Sequence, residues 1–241
     1  MNLSCEGKSY LVMASSKGLG RAVAEEIARE GGRVLGTSRV AGQSFVLDTG
    51  DPASRQTFLA RIKGERLNGI FVNTGGPRAG GALQLDAEDW LAAFQQLLLG
   101  PLELVRALVP QVEREGAILF NTSSSIAEPI AGLALSNVMR AGIHALVKTL
   151  VDELAPLGIR VNLIVPGRID TDRVRELDEQ AGQRSGVTVD DIRRRSEDRI
   201  PLRRYGKPEE FGRLAAFLLS PAASYLNGSS YWIDGGQRRS L

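Results

Sequence analysis

The feature that most constrains the fold is an alternation of short apolar runs with longer amphipathic stretches along all 241 residues. Seven runs are predicted to form strands: Tyr10–Ala14, Val34–Thr37, Phe45–Leu47, Ile70–Asn73, Ile118–Asn121, Val161–Val165 and Tyr231–Ile233. Between most of them lie stretches with helical periodicity: Arg21–Arg29, Ser54–Lys63, Ala87–Val112, Leu133–Leu154 and Glu209–Leu219. Strands that alternate with helices indicate βαβ units. We therefore predict an α/β fold in one domain over residues 1–241, built on a doubly wound parallel sheet of about seven strands.

Composition narrows the classes of site and partner. The chain is 43% apolar, which suits one domain with a large core, and its net charge of +2 gives no general case for nucleic acid or an anionic membrane as a partner. Cys5 is the only cysteine and His144 the only histidine, which excludes a disulfide within the chain and a metal site built on Cys or His clusters. We therefore assign no metal, and we expect His144 to be packed or exposed on a helix. Because we find no signal peptide and no apolar run approaching the ~18 residues of a membrane span, we expect a soluble, cytoplasmic protein.

One segment, residues 172–206, breaks the alternation. It is polar and rich in arginine, and it carries no strand signal. In a doubly wound sheet, so late a segment emerges at the carboxyl ends of the strands, where ligands bind. Two interpretations stay open: a mobile lid over a substrate, or an ordered surface excursion.

The stretch YLVMASSKGLGRAVAEEIA, at residues 10–28, carries the most specific local signal. It reads as a strand, a turn of small residues and a helix, and Gly18 and Gly20 would let the backbone approach a pyrophosphate closely. A helix N-terminus offers unpaired N–H groups and the positive end of its dipole to such an anion. The stretch resembles the T-G-x-x-x-G-x-G loop of the short-chain dehydrogenase/reductase family, with Met13 and Ala14 in place of the Thr and the first Gly.

Further motifs resemble the same family in the same order. They are NTGG at 73–76, RVNLIVPGRIDT at 160–171, YGKPEEF at 205–211 and YLNGSSYWIDGG at 225–236. The resemblance covers nearly the whole chain and is strongest to the 3-oxoacyl-[acyl-carrier-protein] reductase-like members. It implies a Rossmann-type sheet with strand order 3-2-1-4-5-6-7 and a nicotinamide cofactor. The residues that it places at this cofactor are Ser15, Ser16, Lys17, Gly18, Leu19, Gly20, Asp48, Asn73, Gly75, Arg140, Pro166, Gly167, Ile169 and Thr171.

The choice of cofactor depends on the end of the second strand, where the sequence reads GTSRV. An NAD-preferring chain usually has an acidic residue here, which accepts from the ribose 2′-OH. This chain has Ser38 and Arg39 instead, and a guanidinium suits a 2′-phosphate through charge-assisted hydrogen bonds. Lys17 adds a second positive charge in the phosphate loop. We therefore predict NADP(H), with NAD(H) as the less favoured alternative.

The catalytic positions depart from the family pattern. The family uses a Tyr four residues before a Lys, a Ser about thirteen residues before the Tyr, and an Asn on an earlier helix. Aligned on AGIHALVKTL, the chain has Ser136 at the Tyr, Arg140 at the Lys and Leu97 at the Asn; only Ser123 is retained, with Ser124 as the alternative one residue later. We take Ser123, Ser136 and Arg140 as the candidate catalytic residues. No Tyr in the chain is followed four residues later by a Lys, which leaves Tyr205 as a proton source that would act from another segment.

Three functions stay open. The first is an NADP(H)-dependent reductase of a carbonyl substrate, a 3-oxoacyl thioester or another ketone, with an unusual proton donor. The second is a non-catalytic NADP(H)-binding sensor or assembly protein, and the third is a structural paralogue with an empty site. The partners we expect are a small carbonyl or alcohol substrate and further copies of the chain. A homotetramer or homodimer is expected because the two longest predicted helices carry an apolar excess, and such helices pack against a neighbour's in the family.

Overall fold

A computed structural model describes residues 3–239, so the ends of the domain predicted over 1–241, residues 1–2 and 240–241, lie outside the described part. A parallel sheet of seven strands runs through the molecule in the order β3-β2-β1-β4-β5-β6-β7. The strands are β1 (Ser9–Val12), β2 (Arg33–Ser38), β3 (Phe45–Val46), β4 (Leu67–Val72), β5 (Val112–Asn121), β6 (Arg160–Pro166) and β7 (Ser230–Ile233). Every neighbouring pair is parallel. The predicted fold class and strand order are confirmed.

Eight α-helices flank the sheet in the described residues. They are α1 (Gly18–Arg29), α2 (Pro52–Ile62), α3 (Ala87–Phe94), α4 (Gly100–Leu108), α5 (Ala134–Leu154), α6 (Asp172–Ser185), α7 (Val189–Arg199) and α8 (Pro208–Leu219). Side chains alternate along the central strands, so Leu11, Ile70 and Ile118 enter one apolar layer while Phe71 and Leu119 enter the other. Because both faces of the sheet are covered, consecutive residues of these strands are apolar over the buried stretches 70–72 and 117–120.

The connection between β2 and β3 is only six residues long, 39–44, and contains no helix. Parallel neighbours ordinarily need a crossover of about a dozen residues or more. The register explains the exception, because Thr37 pairs with Phe45 and Ser38 with Val46. The returning chain therefore joins only the last two residues of β2, and a short loop spans that distance. Phe45 then fixes the strand by stacking edge-on against Phe58 of α2, with 5.5 Å between ring centroids.

The single helix predicted over Ala87–Val112 is interrupted. A π-helical turn, Gln95–Leu99, separates α3 from α4, and a 3₁₀ turn follows α4. The whole stretch Ala87–Gln111 is long and apolar enough to cross a membrane by length and composition alone, a test that core helices of soluble proteins also pass. Leu104 and Leu108 of α4 are fully buried in the central core, so the α4 part of this stretch packs as a core helix.

The segment 172–206, left open between a mobile lid and a surface excursion, contains two ordered helices, α6 and α7. Thr171 and Thr188 cap them, each accepting a backbone N–H three residues later. A buried cluster around Asp178 holds the segment together and fastens it to the turn after β6. The Tyr205 hydroxyl donates to Asp178 at 2.8 Å, and Arg168, in that turn, donates to the same carboxylate at 2.8 Å.

Candidate active site

The phosphate loop lies between the end of β1 and the start of α1, at the carboxyl edge of the sheet. Gly18 has φ +57°, in the left-handed region. A Cβ on Gly20 would lie 2.1 Å from the Ala14 carbonyl oxygen, so no larger residue fits there. Ala14 has φ +52° at the position where the family pattern has Gly. Its N–H donates to Thr37 Oγ1 at 3.1 Å, which helps hold the strained turn.

The N-terminus of α1 is open toward this loop. No side chain caps it, and its first turn carries no acidic residue. Most helices satisfy these N–H groups with a capping oxygen, and the first turn favours negative charge. An unclaimed helix N-terminus behind a glycine cradle therefore fits the diphosphate of a dinucleotide.

The other predicted cofactor residues lie along the same carboxyl edge. A Cβ on Gly18 would lie 3.8 Å from Thr171, and one on Gly20 would lie 3.1 Å from the Asn73 amide nitrogen, so three distant motifs meet at the loop. The structure places the remaining residues as follows: Leu19 packs on the core, Ser16 is exposed, Asp48 accepts from the Gly50 N–H, the Gly75 carbonyl accepts from Gln96, Pro166 ends β6, Gly167 packs against Asp234, and Ile169 pairs with Gly206.

Two cations flank the loop on the side of β2. Lys17 and Arg39 are both exposed, and neither forms a salt bridge within residues 3–239. Ser38, the last residue of β2, donates its hydroxyl to the Val40 carbonyl oxygen. Sequence reasoning missed Gln43, whose side-chain oxygen accepts from the Ser15 hydroxyl at 3.0 Å. Nothing local in the sequence marks Gln43, because the contact depends on the short β2–β3 connection.

Ser136 and Arg140 stand one turn apart on α5 and bond each other, with Arg140 Nε donating to Ser136 Oγ at 3.1 Å. Arg140 Nη1 also donates to the carbonyl oxygens of Asn121 and Thr122 at the end of β5, at 3.2 and 3.1 Å. Burial and, to a lesser extent, the positive charge of Arg173 lower the pKa of the Arg140 guanidinium to about 10. Arg140 therefore remains charged at neutral pH, and its Nη2 group keeps two N–H donors for a ligand.

Ser123 begins the segment after β5. Its hydroxyl oxygen accepts from the Ser125 N–H at 3.2 Å, so its own proton is available to a substrate oxygen. The Asn121 amide donates to Asn73 at 2.9 Å, and its buried side-chain oxygen has no partner in the described residues. Asn121, Arg140 and Leu97 line one small cavity beside the end of β5.

Leu97 occupies the position where the family pattern has a polar residue. It is 3% exposed and packs with Leu135 and Met139 in a small apolar cluster under the first turns of α5. It also lies at the centre of the π-helical turn, a feature that often marks functional sites. The π-helical turn therefore presents Leu97, a side chain that cannot carry a proton.

Tyr205, the alternative proton source, is 4% exposed and already donates its hydroxyl to Asp178. Burial raises the pKa of its phenol. Arg193 covers its ring at 4.6 Å. These contacts give Tyr205 a structural role in the 172–206 segment.

Comparison with known proteins adds to this geometry. A family model described as enoyl-(acyl carrier protein) reductase matches residues 13–238. The 3-oxoacyl-[acyl-carrier-protein] reductase FabG of Escherichia coli (strain K12) is 29% identical over 253 residues, which cover 97% of this chain and 98% of that protein. A short chain dehydrogenase family protein from Francisella tularensis subsp. tularensis SCHU S4 has TM-score 0.88 and 27% identity, covering 95% of this chain and 98% of its own. L-sorbose reductase from Gluconobacter frateurii, solved with NADPH and L-sorbose, has TM-score 0.92 and 25% identity over all of both chains.

Proposed function

Since this chain belongs to the short-chain dehydrogenase/reductase family, we propose that it is an NADP(H)-dependent oxidoreductase that interconverts a small carbonyl compound and its alcohol. The observation that carries the proposal is the phosphate loop: a glycine cradle facing an uncapped helix N-terminus, with Lys17 and Arg39 exposed and free of salt bridges on one side. The NADPH in the Gluconobacter frateurii structure supports the same choice of cofactor.

The residues present fit this cofactor. Gly18 and Gly20 would receive the diphosphate, and Lys17 and Arg39 would bind the 2′-phosphate with charge-assisted hydrogen bonds. Gln43 would release its bond to Ser15 as the adenosine end binds, since that bond lies beside the same loop. We assign the remaining contacts to the residues that the family motifs predict, from Asp48 at the adenine to Thr171 at the nicotinamide side.

The catalytic step needs a proton on the carbonyl oxygen. When bound, the dinucleotide supplies the hydride that attacks the carbonyl carbon, and the oxygen must gain a proton as the C=O bond becomes C–OH. Ser123 and Ser136 each keep a free hydroxyl proton for the substrate oxygen. The Arg140 charge stabilises the developing alkoxide through Ser136, to which it donates.

Ser123 and Ser136 are poorer proton donors than the Tyr that the family uses. A Tyr with pKa of about 10 can be tuned toward neutral pH, whereas a Ser hydroxyl is far less acidic. Arg140 cannot pass a proton on, because a guanidinium stays protonated. Leu97 has no polar group, so the side chain at this position cannot pass a new proton to Ser136. We therefore expect slow turnover, with water in the space left by the missing phenol as the final proton source.

A second function, NADP(H) binding without catalysis, is favoured by two observations. Arg140 Nη1 already donates to two backbone carbonyl oxygens at the end of β5, and Leu97 packs in an apolar cluster. A protein that retains the cofactor loop and loses the proton relay would act as a sensor or assembly partner.

The segment 172–206 is assigned as the substrate lid in either case. It directly follows Thr171, which adjoins the phosphate loop. The bonds of Asp178 join α6 to Tyr205 at the far end of the segment and to Arg168 in the turn after β6. Lids in such positions sequester the reaction from water.

Binding of NADPH and NADH to wild type and Arg39→Ala tests the cofactor. We expect NADPH to bind more tightly, and Arg39→Ala to weaken NADPH by about ten-fold or more while leaving NADH unchanged, since one charge-assisted phosphate bond contributes about 1.5–3 kcal/mol. Arg106→Ala, an exposed arginine on α4, is the matched control. Equal affinities for both dinucleotides would overturn the assignment. NADPH oxidation against a panel of ketones and acyl thioesters then separates the enzyme from the binding protein.

A further inference from the structure

A strongly basic pocket opens between α6 and the segment Pro77–Ala79. Its volume is about 470 Å³. Three arginines, Arg78, Arg173 and Arg184, line it together with Gln180 and Gln183, and no carboxylate side chain forms part of its lining in the described chain. Every polar side chain of this lining is therefore cationic or an amide.

The helix geometry directs these groups to one place. Arg173, Gln180 and Arg184 are spaced by seven and four residues, so they share one face of α6. Arg173 Nη2 lies 3.5 Å from the Pro77 carbonyl oxygen, which joins the helix to the opposite wall. That wall is held in turn by Gly80, whose N–H donates to the Gly132 carbonyl at 2.7 Å.

The charges of the pocket are only partly balanced. Arg78 pairs with Asp89 at 2.7 Å, and Arg173 pairs with Glu176 at 3.3 Å. Arg184 forms no salt bridge and no hydrogen bond with the rest of residues 3–239. A guanidinium has five N–H donors, so even the paired arginines retain donors for another acceptor. The pocket thus has an unmatched positive charge and spare donors, which suit a planar or tetrahedral anion.

Arg173 links the pocket to the candidate active site. The charge of Arg173 is close enough to Arg140 to lower the pKa of that guanidinium. Arg173 also lies against Gly76, with its Nε 3.1 Å from the place of a Cβ there, in the motif that follows β4. An extended molecule could therefore present one end to Ser136 and Arg140 and the other to Arg184.

We propose that this basic pocket binds the anionic group, a carboxylate or a phosphate, of the carbonyl substrate. The proposal rests on the proposed function and narrows its substrate class from any carbonyl compound to an acidic one. A neutral ketone or free sugar would leave the guanidinium of Arg184, and the spare donors of Arg78 and Arg173, without an anionic acceptor.

Binding of inorganic phosphate tests the pocket without turnover. Calorimetry at fixed ionic strength compares wild type, Arg184→Gln, Arg184→Lys and the control Arg175→Gln, which changes an exposed arginine of α6 outside the pocket lining. We expect Arg184→Gln to weaken one class of phosphate site by about ten-fold, the loss of one charge-assisted bond, while Arg184→Lys and Arg175→Gln stay within about two-fold. Phosphate at the α1 N-terminus forms a separate class that none of these changes touches. Equal phosphate binding in wild type and Arg184→Gln overturns the proposal.

Turnover tests the substrate class. A 3-oxo acid, its methyl ester and a phosphorylated ketone are compared as substrates of wild type and Arg184→Gln with NADPH. We expect kcat/KM for at least one of the two anions to exceed that for the ester by about ten-fold or more, and Arg184→Gln to remove this preference through KM. The preferred anion identifies carboxylate or phosphate.

The two failures are distinguishable. If neutral and anionic carbonyl compounds are reduced equally well, and Arg184→Gln has no effect, the proposed substrate class is wrong and the oxidoreductase function stands. Absence of NADPH binding overturns the proposed function and with it the substrate assignment, whatever the phosphate titration gives.

Discussion

At the scale of single residues, Ala14 shows how this chain keeps the family backbone with a different side chain. Its φ of +52° is the left-handed conformation that glycine adopts freely and other residues adopt at a cost of about 1–2 kcal/mol. The turn persists because Ala14 and Ser15 both bond Thr37 of β2.

Ala14→Gly should therefore stabilise the protein by about 1 kcal/mol, as the strain is removed. The control is Ala28→Gly on the exposed face of α1, which should destabilise by about the same amount because glycine is a poor helix former. Urea denaturation of the two variants measures both changes. Loss of stability in both would show that Ala14 carries no strain.

Ser136 and Arg140, which stand where the family has Tyr and Lys, lead to a prediction about activity. Ser136→Tyr combined with Arg140→Lys should raise the reduction of a generic 3-oxoacyl substrate by about ten-fold or more, because a positioned general acid contributes about 10²–10⁴-fold. Single-turnover NADPH oxidation gives the rate, and Val138→Tyr, an exposed position on α5, controls for an added phenol. Wild-type turnover at tens per second, abolished in Ser136→Ala, would instead make Ser136 a fully competent acid.

Residue identity alone was enough to predict much of this candidate site. Gly18, Gly20, Lys17, Arg39 and Ser123 follow from motif and charge. The bond between Ser136 and Arg140 follows only from their spacing once the helix is known, and the Gln43–Ser15 contact and the unpartnered Asn121 oxygen depend on tertiary structure.

At the scale of elements, the strands were predictable and the two helices of the 172–206 segment were not. Apolar periodicity reveals an element that buries a face, and α7 has no buried residue. Ion pairs one turn apart help hold it instead, such as Arg193 with Glu197 at 3.0 Å. The π-helical turn at 95–99 was also missed. The residue after it, Gly100, packs so closely on the loop after β3 that a Cβ would lie 2.0 Å from the Thr49 carbonyl oxygen, a tertiary contact that the sequence does not reveal.

The start of α8 predicts a pH dependence. Two hydrogen bonds from Arg204, at 2.7 and 2.8 Å, lower the pKa of Glu210 from its ordinary 4.5 to about 2, and the Lys207 N–H adds to them. Because the folded pKa is the lower one, this stabilisation is complete above pH 4.5 and is lost as the pH falls toward 2. Screening at this partly exposed site limits it to about 1 kcal/mol.

Unfolding free energies measured between pH 2 and 6 check that dependence. Glu210→Gln should flatten the wild-type slope in this window, whereas Glu209→Gln, at the exposed neighbouring position, should retain it. Identical slopes in wild type and Glu210→Gln would contradict the assignment.

At the scale of the whole molecule, the alternation of strands and helices predicted a parallel sheet covered by helices, and the family resemblance supplied the strand order, which the structure has. The alternation could not predict how the molecule assembles. Leu91 and Phe94, three residues apart on α3, are 65% and 37% exposed, and Val138 on α5 is 52% exposed. Large apolar side chains in such numbers on two neighbouring helices indicate a contact surface.

We expect this surface to join copies of the chain into a homodimer or homotetramer. Leu91→Glu with Val138→Glu should shift the protein toward the monomer, because each charge would be buried without a partner at the contact. Sedimentation at micromolar concentration measures the shift. Leu157→Glu, exposed elsewhere, is the control. A wild type that sediments only as monomer would refute the expectation.

The six-residue connection between β2 and β3 has a consequence for local opening. Closing so short a loop has a small entropic cost, but only two residues of β3 pair with β2. The edge can therefore detach and re-form without disturbing the strands beside it, so its amide hydrogens should exchange with solvent well before those of β4 or β5. The adenosine end of the cleft would be the least cooperative part of the sheet, and cofactor entry there would require only a local fluctuation.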